Sequence, residues 1–134
     1  MKTIVKFISV LLAICFGVAA CAASGGPSTS LSVELKDFAF APTAYTIPAS
    51  KEITLSLTNK GANEHEFVII KAGQQVTVPF DDDDEPKVYW EAEVEPGKSD
   101  TVKFTAPDAG TYQVVCGTPG HVEQGMVGTL TVVK

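Results

Sequence analysis

The chain contains no arginine, and its ten basic residues face sixteen acidic ones, for a formal net charge of −6 over 134 residues. Phosphate recognition needs clustered Lys and Arg, so this balance argues against nucleic acid as a partner. Redox-active and metal-binding side chains are scarce: three cysteines, two histidines and two methionines. Cys15 and Cys21 belong to the N-terminal stretch, which leaves Cys116 alone in the body of the chain. No disulfide can form within the domain, and the lone thiol needs another explanation. No window of about ten residues beyond the N-terminal stretch carries a helical repeat, which excludes an α-helical architecture. There is no internal repeat.

What is present begins with a leader. Lys2 and Lys6 precede an apolar run over residues 7–18 that is too short to span a bilayer and reads as the apolar region of a signal peptide. Val18-Ala19-Ala20-Cys21 is similar to a bacterial lipobox, in which the peptidase cuts before the cysteine and its thiol carries lipid. A plain small-residue cleavage site is the alternative. The reading divides the chain into a lipoprotein leader at 1–20, a lipidated Cys21 with a flexible tether to residue 30, and a folded domain at 31–134. The tether is rich in Ala, Ser, Gly, Pro and Thr. The protein is then extracytoplasmic, in a periplasm or on the outer face of the cell membrane, and loss of Lys2 and Lys6 takes its net charge from −6 to −8.

Within the domain, short runs of period-two alternation recur. Leu31, Val33 and Leu35, then Ile53, Leu55 and Leu57, then Val102 and Phe104, alternate with polar residues as half-buried strands do. His65–Ile70, Val88–Val94, a strand carrying Tyr112, Val114 and Cys116 on one face, and Val127–Val133 complete the set. Pro-Gly, Asn-Lys-Gly and Asp-Ala-Gly clusters supply turns. The pattern predicts an all-β Greek-key sandwich of about seven to eight strands. Asp108-Ala109-Gly110-Thr111-Tyr112 has the form of a tyrosine corner, which also raises an immunoglobulin-like alternative; the lack of a second core cysteine argues against it.

The chemistry is concentrated near the C-terminus, where Cys116, His121 and Met126 follow one another with four residues between each pair. Thr118-Pro119-Gly120-His121 suits a type II turn, with Pro setting the first central φ and Gly taking the positive φ of the second. Such a turn can fold His121 back toward the thiol. His65 is the sole other histidine, placed where the loop 59–64 enters the apolar strand Phe67-Val68-Ile69-Ile70. Singly, each of these residues is ordinary core or surface. Together they form a thiolate, two imidazoles and a thioether, the donor set of a copper electron-transfer site.

The segment from Tyr112 through Cys116, His121 and Met126 to Val132 resembles the small blue-copper proteins, the cupredoxins. Its spacing is similar to that of auracyanin-like and rusticyanin-like members, and the resemblance covers residues 31–134. It implies one type 1 copper ion, with His65 as the N-terminal histidine ligand, Cys116 as the thiolate, His121 as the solvent-near histidine and Met126 as the axial ligand. It further implies a monomeric one-electron carrier between redox protein partners, not an enzyme. The family's usual Asn after the first histidine and Ser or Thr after the cysteine are replaced here by Glu66 and Gly117. A side-chain tie between the ligand loops is therefore not expected there, although the N–H of residue 66 can still approach the sulfur.

Two other functions compete. Copper delivery or storage calls for several exposed Met and His residues, and this chain spends all of its own on one closed site. Catalytic copper calls for an open position and further ligands; no third histidine exists, and residues 117–120 contain no second cysteine for a dinuclear centre. The acidic run 81–85 reads as a solvated loop, with docking of a basic partner or weak calcium binding as alternatives. Tyr89 and Trp90 read as strand residues, one facing the core. Pro119, Val122 and Val127 are expected to form a small apolar patch around His121.

Overall fold

The computed structural model describes residues 26–134; the predicted leader and Cys21 lie outside the described residues. Nine strands form two sheets: β1 (Ser30–Lys36), β2 (Ala39–Ala41), β3 (Ala44–Pro48), β4 (Glu52–Asn59), β5 (His65–Ile70), β6 (Val88–Val94), β7 (Ser99–Thr105), β8 (Gly110–Val115) and β9 (Val127–Val133). One sheet has the order β2-β1-β4-β7 and the other β3-β9-β8-β5-β6. The chain passes repeatedly from one sheet to the other, so β1 pairs with β4 and β3 with β9 in parallel, while the remaining pairs are antiparallel. This is the expected β-sandwich, with two strands more than the alternation picked out. The two are β2 and β3, which are short and separated by Pro42; β3 alternates in its burial, with Tyr45 and Ile47 inward, but over too few residues to stand out as a repeat.

The apolar positions of the alternating strands turn inward. Val33, Leu35, Ile53, Leu55, Leu57, Phe67, Ile69, Val114, Leu130 and Val132 bury together between the sheets. Phe67 lies at the centre, edge-on to Phe40 and Tyr45 at 5.6 and 5.5 Å between ring centroids. Burial of each such side chain contributes about 1.5–3 kcal/mol. β5 does not alternate because both of its faces are covered: Val68 and Ile70 pack with Val76, Val115 and Val122 in a second apolar cluster outside the sheet. The covering segment is held by the Val76 N–H, which donates to Gln113 Oε1 at 2.9 Å.

Two local expectations are met, and the start of the folded chain differs from the expected one. Tyr112 donates its hydroxyl to the Asp108 carbonyl at 2.6 Å, closing the tyrosine corner. Trp90 stacks on Phe104 at 4.8 Å, while Tyr89 is exposed and bonds the Thr105 carbonyl. The sandwich takes up the chain before Leu31, since the Ser28 N–H donates to the Thr46 carbonyl and the Thr29 carbonyl accepts from Thr54.

The acidic run differs from a plain solvated loop. Residues Asp82–Lys87 form a short 3-10 helix capped by Asp81, whose side chain accepts from the Asp83 N–H while the Asp84 side chain bonds the Asp81 N–H. Asp84 is buried and takes the Lys87 ammonium at 2.6 Å. Part of the run is therefore structural, while Asp81, Asp82, Asp83 and Glu85 are exposed.

Candidate metal centre

The antiparallel pairing of β5 with β8 brings the start of one strand beside the end of the other. His65 opens β5, Cys116 follows β8, and Met126 precedes β9, so all of them gather at one end of the five-stranded sheet with His121 on the intervening loop. The loop is built as its sequence suggests. His121 N–H donates to the Thr118 carbonyl at 3.1 Å with Gly120 at φ 84°, a type II turn. Met126 N–H then donates to the His121 carbonyl and Cys116 N–H to the Met126 carbonyl, at 3.0 and 3.2 Å. These bonds fix the spacing of three of the four residues through the backbone.

The side chains converge. Cys116 Sγ lies 3.3 Å from His121 Nδ1 and 3.8 Å from His65 Nδ1, and the two Nδ1 atoms are 3.2 Å apart. His65, Cys116 and Met126 are fully buried, and His121 is 5% exposed. The more accessible histidine is thus the one on the C-terminal loop. Two imidazole nitrogens and a sulfur facing one another at such distances, away from water, form a pocket whose donors match a soft or borderline cation. The residues present therefore fit a copper ion of the type 1 kind, with Met126 sharing the same core cluster as Cys116.

Burial sets the protonation of the metal-free site. It pushes the Cys116 thiol above its ordinary value, against the lowering effect of its hydrogen bonds with Thr118 and with the Glu66 amide. Desolvation also lowers both histidines, and for His65 the neighbouring His121 adds to it. Near neutral pH the site therefore holds a thiol and two neutral imidazoles, and metal binding releases the thiol proton.

The surroundings repair the Glu66 and Gly117 departure by another route. Glu66 N–H points at Cys116 Sγ at 3.4 Å, as the sequence allowed. The tie between ligand loops comes from Thr118, which sequence reasoning had used only as a turn residue. Its hydroxyl donates to the Glu64 carbonyl at 3.0 Å and accepts from the Cys116 thiol at 3.4 Å. Gly117 leaves room for the Glu66 side chain: a Cβ there would meet Glu66 Oε2.

Three further residues were not foreseen. Asn59, buried at the end of β4, organises the loop before His65 by donating to the Asn63 and Val94 carbonyls and accepting from the Gly61 N–H, all at 2.8 Å. Asp37, after β1, accepts from the Ala62 and Asn63 amides and is held below the usual carboxylate range chiefly by Ala62. Phe38 stands edge-on to His121 at 5.2 Å and 80°, with a φ of 64° that non-glycine residues rarely adopt. The apolar patch around His121 is corrected accordingly. Val122 is buried in the second cluster because β5 and β8 present an apolar outer face, whereas Pro119 and Val127 are exposed, and Phe38, also exposed, packs edge-on to His121.

A two-sheet sandwich with a buried His-Cys-His group at one end defines a class of single-domain metal proteins. The chain belongs to the cupredoxin family: residues 8–132 match the model of the cupredoxin-like domain. Auracyanin-B of Chloroflexus aurantiacus is 31% identical over 110 residues, which are 70% of this chain and 47% of that protein. Rusticyanin of Acidithiobacillus ferrooxidans is 37% identical over 86 residues, 63% of this chain and 46% of its own length. The chain thus spans about half the length of these two relatives. The crystal structure of dithionite-reduced auracyanin from Roseiflexus castenholzii superposes with a TM-score of 0.71 at 29% identity, covering 81% of this chain and 100% of that one.

Proposed function

We propose that this protein is an extracytoplasmic one-electron carrier that holds a single copper ion by His65 Nδ1, Cys116 Sγ, His121 Nδ1 and, as a weak axial donor, Met126. The observation that carries the reading is the mutual approach of two imidazole nitrogens and a thiol within 3.2–3.8 Å in a buried pocket. When bound, copper supplies a Cu(II)/Cu(I) couple, and the mixed thiolate, imidazole and thioether set suits neither state alone. The protein keeps this compromise in place. The loop 116–126 is locked by its own backbone bonds, and Thr118 ties it to the loop before β5, so the donors are arranged before metal arrives.

Enclosure separates a carrier from a copper enzyme. With His65, Cys116 and Met126 at 0% exposure and His121 at 5%, a substrate has no access to the donors. Electrons pass by way of the edge of His121, the more accessible of the two imidazoles, with the Phe38 ring beside it. The proposed partners are redox proteins with a basic contact face. The net charge, −6 for the full sequence and −8 once Lys2 and Lys6 leave with the leader, and the carboxylates of Glu64, Glu93 and Glu95, which lie within 4.8 Å of one another, would steer such partners. Cys21 carries the lipid that keeps the monomer at the membrane, and more than one acyl chain suffices for stable attachment.

Copper-loaded, oxidised protein should show an intense thiolate-to-copper band that a mild reductant bleaches. A colourless copper complex would overturn the assignment. Mass spectrometry of membrane-bound protein should find the mature N-terminus at Cys21 with lipid mass; an N-terminus elsewhere on a soluble protein would remove the anchor from the proposal.

A further inference from the structure

His65 has a second ring nitrogen, Nε2, that points away from Cys116 and His121. It is fully buried, and among the described residues it makes no aligned hydrogen bond. A buried N–H left without an acceptor costs about 1–3 kcal/mol, so such an atom needs an explanation. The group that faces it is Asp37, whose Oδ1 lies 3.2 Å from Nε2. Among the described residues it is the carboxylate within hydrogen-bonding distance of that nitrogen.

Two independent features hold Asp37 in this place. Its oxygens accept from Ala62 N–H at 3.1 Å, Asn63 N–H at 3.4 Å and the Asn63 side-chain amide at 3.2 Å, so the loop leading into His65 is wrapped around the carboxylate. Gly61 then leaves the gap through which the two groups meet. A Cβ at that position would stand 2.5 Å from both Asp37 Oδ1 and His65 Nε2. Any side chain at residue 61 would wedge them apart.

We propose that Asp37 is a positioning residue for the buried histidine: its carboxylate takes the Nε2–H of His65, leaving Nδ1 bare toward the metal, and its negative charge favours the more positive copper state. The inference rests on the copper reading of the site. A carboxylate behind a ligand imidazole fixes the tautomer and ring orientation and raises ligand basicity. Both effects, and the charge itself, stabilise Cu(II) relative to Cu(I) and hold the reduction potential down. Among the described residues no carboxylate makes a hydrogen bond to His121; Asp37 and Glu123 act on it through charge alone, and the Phe38 ring stands edge-on to it.

The test has a metal-free and a copper-loaded arm. In copper-free wild type, nitrogen-proton correlation spectra should show His65 as the Nε2–H tautomer with slow exchange of that proton. Asp37→Asn keeps an oxygen for the loop amides and removes the charge. Loaded with copper, it should retain the blue band and shift the reduction potential upward beyond the reproducibility of voltammetry. Gly61→Ala keeps the charge but blocks the approach, and should speed exchange of the Nε2 proton in the metal-free protein. An Nδ1–H tautomer in the wild type, or an unchanged potential in Asp37→Asn, overturns the proposal. A wild type with no blue band would instead overturn the copper reading, and the metal-free arm still reports on the Asp37–His65 pair.

Discussion

At the scale of single residues, the four donors have unequal tasks. Cys116 supplies the soft anion, and a hydroxyl in its place stays protonated. Cys116→Ser should therefore lose the blue band while far-ultraviolet circular dichroism shows the sandwich intact; a variant that stays blue would place the thiolate elsewhere. Met126 should tune rather than hold the ion. Met126→Gln offers a harder oxygen donor and should lower the reduction potential, whereas Met126→Leu removes the donor and should raise it. Voltammetry tests the order Leu above Met above Gln, and three coincident potentials would dismiss Met126 as the axial ligand. His65, Cys116, His121 and Met126 could be picked out in the sequence because such side chains are so rare in this chain. Asp37 and Thr118 could not. Each is an ordinary polar residue whose importance comes from a partner far along the chain, His65 for Asp37 and Glu64 for Thr118.

At the scale of elements, β5 connects the site to the core. It carries His65 at its first position and Phe67, buried against Phe40 and Tyr45, two residues on. Phe67→Ala should destabilise the protein by about 3–5 kcal/mol in urea unfolding, the usual result of a large cavity at a core centre. A loss below about 1 kcal/mol would show that the sheets close over the gap. The seven alternating or apolar strands were visible in the sequence because one-sided burial writes a period of two. β2 and β3 were not, since three to five residues around Pro42 are too few to establish any period. The turn between β1 and β2 matters as a unit, with Asp37 directed to one histidine and Phe38 to the other. Phe38→Asp should leave the visible spectrum nearly unchanged yet slow electron self-exchange, because it adds like charge where two molecules must meet. Added salt should restore part of the rate. Unaltered self-exchange would move the contact face away from Phe38.

At the scale of the whole molecule, charge and polarity act together. A cationic inorganic oxidant should react faster than an anionic one of similar potential, and rising ionic strength should narrow the difference. Equal rates at low salt would mean that the acidic surface plays no part in the encounter. The parallel pairing of β1 with β4 has a further result. Both strands run toward the metal end, β4 finishing at Asn59 and β1 at Lys36, just before Asp37. The chain therefore enters the sandwich at Ser28 and Thr29, at the opposite pole and the full length of β1 away, about 20 Å for a strand of this kind. If Cys21 is fastened to a membrane, the copper end faces outward like a buoy's lamp. Partners that float freely reach it without hindrance, whereas those embedded in the same membrane need a tall extramembrane domain or must wait for the molecule to capsize on its mooring.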